Sequence, residues 1–326
     1  MPSILFCSNI NKMFLRFMKY VIILILFVQA SFAQNTYNFL KVDVSPRAGA
    51  LGGSFVAATD DPDVIFYNPA GIKNLSAVPV SFTFTKHLLD INFAALSASY
   101  ELENIGRFGA GIKYANYGTF TEYDEYGNKF GDYGAGDLAL TVGYANEISE
   151  NFNYGVNAKF IYSSISDYSS TAVAGDLGLM YLMPNERLNI GFSVLNVGTQ
   201  LQSYISTKED LPLDVVIGIS KRLQYLPLQF HLDFHKLNEN TDGSLMNKFN
   251  AFSFGAEFTL SKTLKLRFGY ENEKRKELKI GSFAGLAGFN FGLGFNVKEY
   301  TLNYAYSSLG EVGALHRIGI NSSFDF

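Results

Sequence analysis

The sequence predicts an all-β protein: a transmembrane antiparallel β-barrel of about 14 strands, preceded by a separate N-terminal hatch segment. Three observations predict this fold. Short runs of alternating apolar and polar residues fill most of the chain, Gly, Tyr and Phe number 30, 20 and 30 with no Trp, and the last segment reads as a strand ending in Phe326. Such alternation is typical of barrel strands, because one face meets lipid and the other a polar lumen.

Residues 1–33 have the features of a Sec signal peptide. Arg16 and Lys19 precede an unbroken apolar run over residues 20–28, and small residues at Ser31 and Ala33 mark a cleavage site after Ala33. The apolar run is too short to span a bilayer, which needs about 20 apolar residues. We therefore expect export and removal of this segment, with translation starting at Met1, Met13 or Met18.

Removing residues 1–33 changes what the composition allows. Three basic residues and no acid leave with them, so the net charge goes from −4 to −7, and Cys7 is lost as the one cysteine. The mature chain therefore has no disulfide or thiolate metal site. Its acidic balance disfavours nucleic-acid binding. No apolar run of 18 or more residues remains, which excludes a helical membrane protein.

Residues 34–75 differ from the rest because short apolar pieces alternate with Gly, Pro and Asp. This pattern favours a compact irregular element over a barrel strand. Irregular backbone at membrane depth must be enclosed by protein, so we expect a hatch in the lumen or at the periplasmic mouth. Within it, Asn68, Pro69, Ala70 and Gly71 predict a turn, since proline restricts both itself and the residue before it.

Residues 76–326 are predicted to form the barrel. Fourteen candidate strands are separated by turn residues, an even number as bacterial single-chain barrels have. They cover residues 78–86, 92–102, 107–117, 136–148, 153–164, 172–183, 188–197, 213–223, 226–236, 249–260, 263–273, 285–297, 300–307 and 314–326.

The polar faces of two late strands carry charges: Lys265, Arg267 and Glu271 on one, and His231, Asp233 and His235 on the other. Unpaired charges directed at the apolar core of a soluble sandwich would cost several kcal/mol each. A barrel lumen removes that conflict, so we expect these side chains to face inward.

The connections between strands alternate broadly between minimal turns and longer polar loops, as in outer-membrane barrels. The longest predicted loop, 118–135, is acidic and rich in Tyr, and is either an external partner surface or a solvated loop with no specific role. The mixed charge run 271–277 is interpreted as a solvated loop tip. Its alternative is a contact with lipopolysaccharide phosphates through Lys274, Arg275 and Lys276.

The final strand carries the clearest signal for a membrane barrel. Ile318, Ile320, Phe324 and Phe326 share one face at period two, and the terminal aromatic resembles the C-terminal assembly signal of outer-membrane barrels. We therefore predict that Phe324 and Phe326 belong to an assembly signal and that the protein resides in the outer membrane, in contact with its lipid. The alternative from this strand alone is the edge of a soluble sandwich.

Residues suited to catalysis or metal binding are few. His231, Asp233 and His235 share a strand face, but neighbours on such a face lie about 7 Å apart and reach one ion only if the strand bends. Asp60, Asp61 and Asp63 lack the glycine and distal glutamate of an EF-hand loop. No catalytic motif is present. We predict no catalytic residue, metal or cofactor.

Ordered motifs in the mature chain resemble the PorV/PorQ family, within the FadL-like group of outer-membrane barrels. The N-terminal signature comprises S-P-R-A-G-A-L-G-G at 45–53, D-D-P at 60–62 and F-Y-N-P-A-G at 66–71. Y-G-T-F at 117–120 with Y-D-E-Y-G at 123–127, D-L-G-L-M-Y at 176–181 and N-V-G-T-Q at 196–200 resemble PorQ more than PorV, and Arg317 also suits the family. The likeness covers essentially the whole mature chain.

The resemblance implies a 14-stranded barrel whose N-terminal hatch carries the Asn68-Pro69-Ala70 turn. It also implies a non-enzymatic role in type IX protein secretion or cell-surface attachment, with other secretion components and secreted cargo proteins as partners. The alternative is a FadL-like channel for hydrophobic small molecules, and a third class is a soluble β-sandwich adhesin. Asn68 itself shapes a turn and performs no chemistry.

Overall fold

The structure is a computed structural model and describes residues 36–239, 249–279 and 285–324. Within these residues, fourteen antiparallel strands close into one barrel. They are β1 Val78–Lys86, β2 Asn92–Leu102, β3 Gly106–Tyr123, β4 Lys129–Ser149, β5 Phe152–Ile165, β6 Tyr168–Met183, β7 Leu188–Gln202, β8 Asp214–Arg222, β9 Leu228–Phe234, β10 Phe252–Thr259, β11 Leu264–Glu271, β12 Phe289–Val297, β13 Tyr300–Ser308 and β14 Ala314–Phe324.

The barrel closes where the last strand meets the first. β14 pairs with β1 from Val78↔Phe324 to Lys86↔His316, and every other strand pairs with its neighbours in sequence. The predicted barrel of about 14 strands is thereby confirmed. Closure leaves no sheet edge within the wall, which is what a lipid-exposed sheet requires.

Side-chain direction follows the predicted alternation. On β14, Ile318 is 60% exposed on the outer surface, whereas Arg317 is 1% exposed and points inward. The charged faces of β9 and β11 also point inward, with His231, Asp233 and Arg267 at 4% exposure or less. The outer wall is therefore apolar, while the charges lie among groups that can pair with them.

The two rims of the barrel differ. One rim carries the minimal turns, such as residues 298–299 between β12 and β13, and we call it the short-turn rim. The opposite rim, the long-loop rim, carries the connections after β1, β3, β5, β7, β9, β11 and β13, which are longer than these minimal turns except for residues 166–167 between β5 and β6.

Three predicted loops on the long-loop rim were wrong in extent. The segment 118–135 is mostly strand, since β3 runs to Tyr123 and β4 starts at Lys129, and the loops 165–171 and 198–212 are shortened in the same way by β5, β6 and β7. Alternating Thr, Phe and Tyr residues sustain these extensions because they favour strand conformation. The charge run 271–277 is also not a plain loop tip: Asn272–Glu277 forms a short α-helix.

The segment before β1 lies inside the barrel. It contains a 3-10 helix Asn38–Lys41, an α-helix Pro46–Ala50, and 3-10 helices Pro62–Phe66 and Pro69–Asn74; two further 3-10 turns, Pro184–Glu186 and Gly310–Val312, lie on the rims. We call residues 36–77 the hatch. Each of its last three helices begins at a proline, whose fixed φ and missing N–H suit the first helical position.

The hatch extends from the long-loop rim to the short-turn rim of the lumen. At its start, Thr36 N donates to Asp210 O at 3.1 Å on the long-loop rim, and near its end the Lys73 ammonium pairs with Glu101 at 2.8 Å on the short-turn rim. No helix within the described residues is both long and apolar enough to cross a membrane.

The predicted signal peptide and Phe326 lie outside the described residues, whereas Phe324 ends β14 beside Val78. The role of the terminal aromatic in assembly stays a prediction. Deleting Phe326 should lower the yield of folded barrel while export continues, which heat-modifiable gel mobility of membrane fractions would measure. Normal barrel yield would contradict it.

Candidate functional site

Glycines on the inner wall let the hatch approach the sheet closely. A methyl group at Gly155 in β5 would lie 2.4 Å from the Pro69 carbonyl carbon, and one at Gly269 in β11 would lie 2.3 Å from Gly52 N. Non-bonded atoms do not approach each other this closely. The wall therefore has room for the hatch backbone only because these positions lack side chains. This role was not predicted from the sequence, although glycines at inward strand positions indicate it.

Asn68 anchors the predicted turn to the wall. Its Oδ1 accepts a hydrogen bond from Ala70 N at 3.1 Å and caps the helix Pro69–Asn74. Its Nδ2 donates to Val56 O at 2.8 Å and to Leu179 O of β6 at 3.2 Å. The side chain is fully buried, so losing its partners would leave polar groups unsatisfied at a cost of about 1–3 kcal/mol. The four residues 68–71 therefore form a structural joint between hatch and wall.

Substituting Gly155 with alanine tests this close packing. Because the nearest atoms belong to the hatch backbone, Gly155→Ala should push residues 69–70 away and destabilise the protein by about 1–3 kcal/mol. The thermal midpoint in detergent and tryptic cleavage at Lys73 would measure the effect. Gly134→Ala is the matched control, since its nearest atom is 3.9 Å away. Equal midpoints for both variants would contradict the role.

A buried ionic cluster joins the hatch to β10 and β11. Arg47, on the helix Pro46–Ala50, lies 2.9 Å from Glu257 and 2.9 Å from Asp60. Arg267 lies 2.7 Å from the same Glu257 carboxylate and donates to Asn303 at 2.7 Å. Lys265 approaches Glu257 at 3.3 Å. Because Arg47, Glu257 and Arg267 are each at most 4% exposed, their charges depend on one another for compensation.

The pKa values of hatch groups reflect this arrangement. Burial acts to lower the pKa of Arg47, but the carboxylates of Asp60, Glu257 and Asp61 outweigh it and raise that pKa well above its ordinary value. For Asp60, burial is opposed by Arg47, which lowers the pKa of the carboxyl. Burial and the neighbouring Asp63 raise the pKa of Asp61 to about 7. Arg47 and Asp60 are thus held as a charged pair.

The three residues of the predicted β9 face do not share a ligand or a common partner. Asp233 Oδ2 accepts from Phe55 N at 2.6 Å and Val56 N at 2.8 Å, so it caps hatch backbone. His235 lies 3.5 Å from Asp214, and although burial lowers its pKa, the hydrogen bond and charge of Asp214 raise it to about 9. His231 is buried, and neither of its ring nitrogens has a hydrogen-bond partner within the described residues.

The aspartates considered as a calcium site, Asp60, Asp61 and Asp63, also have different hydrogen-bond partners. Asp60 pairs with Arg47, Asp61 accepts from Asp63 N at 3.0 Å, and Asp63 accepts from Ser97 of β2 at 2.8 Å. In the part of the chain that the structure describes, no group of three or more His, Cys, Asp or Glu is arranged to hold a metal ion.

Two motifs that are separate in sequence meet on the inner wall. Asp176 of β6 accepts from Asn196 N of β7 at 2.9 Å and pairs with Lys159 at 2.8 Å. Asn157 bridges Asp176 and the hatch, donating to Asp176 at 2.8 Å and to Ile65 O at 2.9 Å. A bulge between β6 and β7 at Gly175–Leu177 makes this contact possible.

Arg317 joins the closing strand β14 to the hatch. Its Nε donates to Asp43 O at 2.7 Å and its Nη1 donates to Ser307 at 2.6 Å. The side chain is 1% exposed and packs beside Gly49. β14 is therefore bonded to the hatch as well as to β1.

Toward the long-loop rim, the lumen between β2 and β6 is apolar. Mostly small inward side chains line it, and three large side chains of the hatch, Tyr37, Phe39 and Leu40, pack there at 4%, 2% and 9% exposure. We call this space the apolar chamber; its wall residues are Phe93, Ala95, Ala115, Ala139, Ile161, Ala172 and Ala174. The wall is mostly alanine where these hatch side chains are large.

Few polar contacts hold the occupant in the chamber. The Tyr37 hydroxyl hydrogen-bonds Ser170, and Lys113 donates to Leu40 O at 2.9 Å and Val42 O at 3.1 Å. Tyr37 also has a φ of 58°, a left-handed conformation that a bulky residue adopts only at a cost. The occupant is bound to the wall mainly through apolar contacts.

The larger cavities next to the hatch are bordered by charged side chains. Cavities of about 280 and 500 Å³ lie at the short-turn rim on either side of Asp60, lined by Arg267 and Asn303 in one case and by Arg187 and Arg222 in the other. On the other side of the hatch, a cavity of about 220 Å³ is bounded by Lys41, Asp43, His235, Lys236 and Glu273. Between them stands the hatch with its ionic cluster.

Three solved structures are similar to this one. The toluene transporter TbuX of Ralstonia pickettii matches with a TM-score of 0.58 at 14% identity, over 86% of this chain and 98% of its own. The toluene transporter TodX of Pseudomonas putida matches with 0.56 at 13%, over 89% and 97%. A FadL homologue of Pseudomonas aeruginosa matches with 0.52 at 11%, over 90% and 100%.

At these identities the likeness establishes the fold, which is that of the FadL-like outer-membrane barrels. No protein-family model matches the sequence, and no curated protein does. The FadL-like part of the sequence expectation is therefore supported, while membership of the PorV/PorQ family stays a prediction.

Proposed function

We propose that this chain is a non-enzymatic outer-membrane barrel that admits hydrophobic small molecules into the apolar chamber, from which residues 37–40 withdraw. The apolar chamber is the observation on which this proposal rests. Ligand sites are mostly apolar concavities with a few polar groups, and this chamber combines an alanine-rich wall with Ser170 and Lys113.

The size of the occupant suggests the ligand class. A phenylalanine side chain is a toluene molecule less one hydrogen, so the volume that Phe39 fills accepts one small aromatic ring. TbuX and TodX, which share the fold, are toluene transporters. We therefore propose small aromatic or aliphatic hydrocarbons as ligands of the chamber.

Access is proposed from the long-loop rim, taken as the extracellular side because short turns face the periplasm in outer-membrane barrels. Each strand is hydrogen-bonded to both neighbours in the described wall, so this conformation has no lateral gap. The hatch also has to shift before a ligand can leave the chamber. The conformation described is thus a closed state.

Filling the chamber tests the proposal. Ala139→Phe directs a ring into the chamber, whereas Ala94→Phe on the outward face of β2 adds the same group to the lipid side. In vesicles containing the purified protein, we expect toluene entry to fall at least tenfold for Ala139→Phe and to be unchanged for Ala94→Phe. Equal entry for both variants, or for protein-free vesicles, would overturn the proposal.

Type IX secretion or surface attachment is the second candidate. The observation that favours it is the polar closure of the lumen by Arg47, Glu257 and Arg267, which resembles a plug more than an apolar path. Deleting the gene and comparing secreted and surface proteins separates the candidates. Loss of surface cargo with unchanged hydrocarbon uptake would favour this role, with secretion components and cargo proteins as partners.

A further inference from the structure

The two longest strands extend well past the wall. β2 pairs with β3 only up to Asn92↔Asn116, and β5 pairs with β4 only from Ala135↔Ile165. Among the described residues, 117–134 form strand pairs only with each other. At about 3.3 Å per residue, each arm rises about 20 Å beyond its neighbours. We call residues 117–134 the projecting hairpin.

The projecting hairpin is ordered by its own contacts. Thr121 donates to Asp132 at 2.9 Å across the arms, and the rings of Phe120 and Tyr133 stack with centroids 5.4 Å apart. At the tip, Asp124 accepts from Tyr126 N at 2.9 Å and Asn128 N at 2.8 Å. The Asn128 side chain also donates a hydrogen bond to Asp124. That bond has the largest effect, and with the backbone hydrogen bonds it lowers the pKa of the Asp124 carboxyl. The two arms are therefore pre-arranged as strands.

The Gly134 carbonyl accepts from Ser166 N at 3.1 Å, and beyond that bond both outer edges of the hairpin have no strand partner among the described residues. Unpaired backbone groups on a strand edge are a template for another strand, and proteins usually shorten such edges or interrupt them with proline. Residues 117–134 contain no proline. Large apolar side chains lie beside the edges, with Tyr126, Phe130 and Tyr123 exposed by 81%, 78% and 64%. An isolated two-stranded hairpin is marginal in water, so a third strand would stabilise it.

The charge of the hairpin selects among possible occupants. It carries Glu122, Asp124, Glu125 and Asp132 against Lys129, a net charge of −3. A second copy of this chain would bring the same charge and be repelled, as would the phosphates of anionic lipid. A basic polypeptide would be attracted. We propose that the projecting hairpin is a docking edge for a partner protein that adds an extended, basic strand to it.

Strand addition can be distinguished from simple charge attraction, because it needs the partner's backbone N–H groups as well as its charge. The probe is an eight-residue peptide of alternating lysine and valine, titrated against the full barrel in detergent. Its acidic counterpart has glutamate for lysine, and a third peptide has alternate backbone nitrogens methylated. We expect the basic peptide to bind at least tenfold more tightly than either of the others.

The hairpin itself is tested by replacing residues 119–133 with Asn-Gly, a two-residue hairpin turn. Heat-modifiable gel mobility verifies that the barrel is folded, and basic-peptide binding should then be lost. Glu122→Lys with Glu125→Lys, which keeps the hairpin, should reverse the preference toward the acidic peptide. Equal binding of the methylated peptide, undiminished binding to the shortened barrel, or an unchanged preference in the lysine variant would each overturn the proposal.

Discussion

Replacing Glu257 with glutamine is expected to release the hatch from the wall. The substitution keeps the shape of the side chain but removes the carboxylate that pairs with Arg47 at 2.9 Å and Arg267 at 2.7 Å. Both guanidinium groups are buried, so they would face each other without their shared counter-charge. Breaking a buried ion pair from one side typically costs about 3–5 kcal/mol. The thermal midpoint in detergent should fall, and trypsin should cleave at Arg47.

Two further variants give this prediction its control. Glu122→Gln makes the same chemical change on the exposed projecting hairpin, where we expect the midpoint to be unchanged. The double variant Glu257→Gln with Arg47→Gln should lose less than the sum of the two singles, because each single leaves a buried partner behind. Strict additivity, or equal midpoints for Glu257→Gln and Glu122→Gln, would contradict the coupling.

Truncating the occupant of the apolar chamber should create a hydrocarbon site. Changing Tyr37, Phe39 and Leu40 to alanine removes the three large side chains of the occupant from the mostly alanine wall, so a ligand no longer has to displace them. When only a fraction of the molecules has an empty chamber, the apparent affinity equals the intrinsic affinity multiplied by that fraction. Emptying the chamber in every molecule restores the intrinsic affinity. We expect trifluorotoluene to bind at least tenfold more tightly than to the unmodified protein, by fluorine NMR titration.

The matching control lies on the outer wall. Phe82→Ala with Phe84→Ala removes two aromatic rings that are 51% and 42% exposed on β1, and should leave trifluorotoluene binding unchanged. The triple variant should also unfold at a lower temperature, since each buried Phe-to-Ala change costs about 3–5 kcal/mol. A folded triple variant with unaltered affinity would show that residues 37–40 do not occupy a ligand site.

Several parts of the barrel were predictable because their causes are local. A strand alternates its faces at every residue, so Arg317 inward and Ile318 outward follow from their positions alone. Closure of β14 on β1 followed from an even strand count with apolar outer faces. Caps were local as well: Asn68 and Asp61 each hydrogen-bond a backbone N–H two residues on.

Other features depended on residues distant in sequence. Residues 118–135 were predicted as a loop because Gly118, Gly127, Gly131 and Gly134 indicate turns. In the structure, cross-strand contacts such as Phe120–Tyr133 hold most of this segment in strands. The partners of Asp233, which are N–H groups of Phe55 and Val56, lie about 180 positions away. No periodicity within one strand contains that information.

The sequence by itself determined that this chain forms a barrel of about 14 strands with an apolar outside and charged residues inside. The physical reason is that alternation is a property of each strand. Only the tertiary structure decided what fills the lumen: a hatch fitted against wall glycines, Arg47 paired with Glu257, and Tyr37, Phe39 and Leu40 in the apolar chamber. These arrangements depend on which inward positions of different strands face the hatch. Those positions are distant in sequence and come together only when the barrel closes.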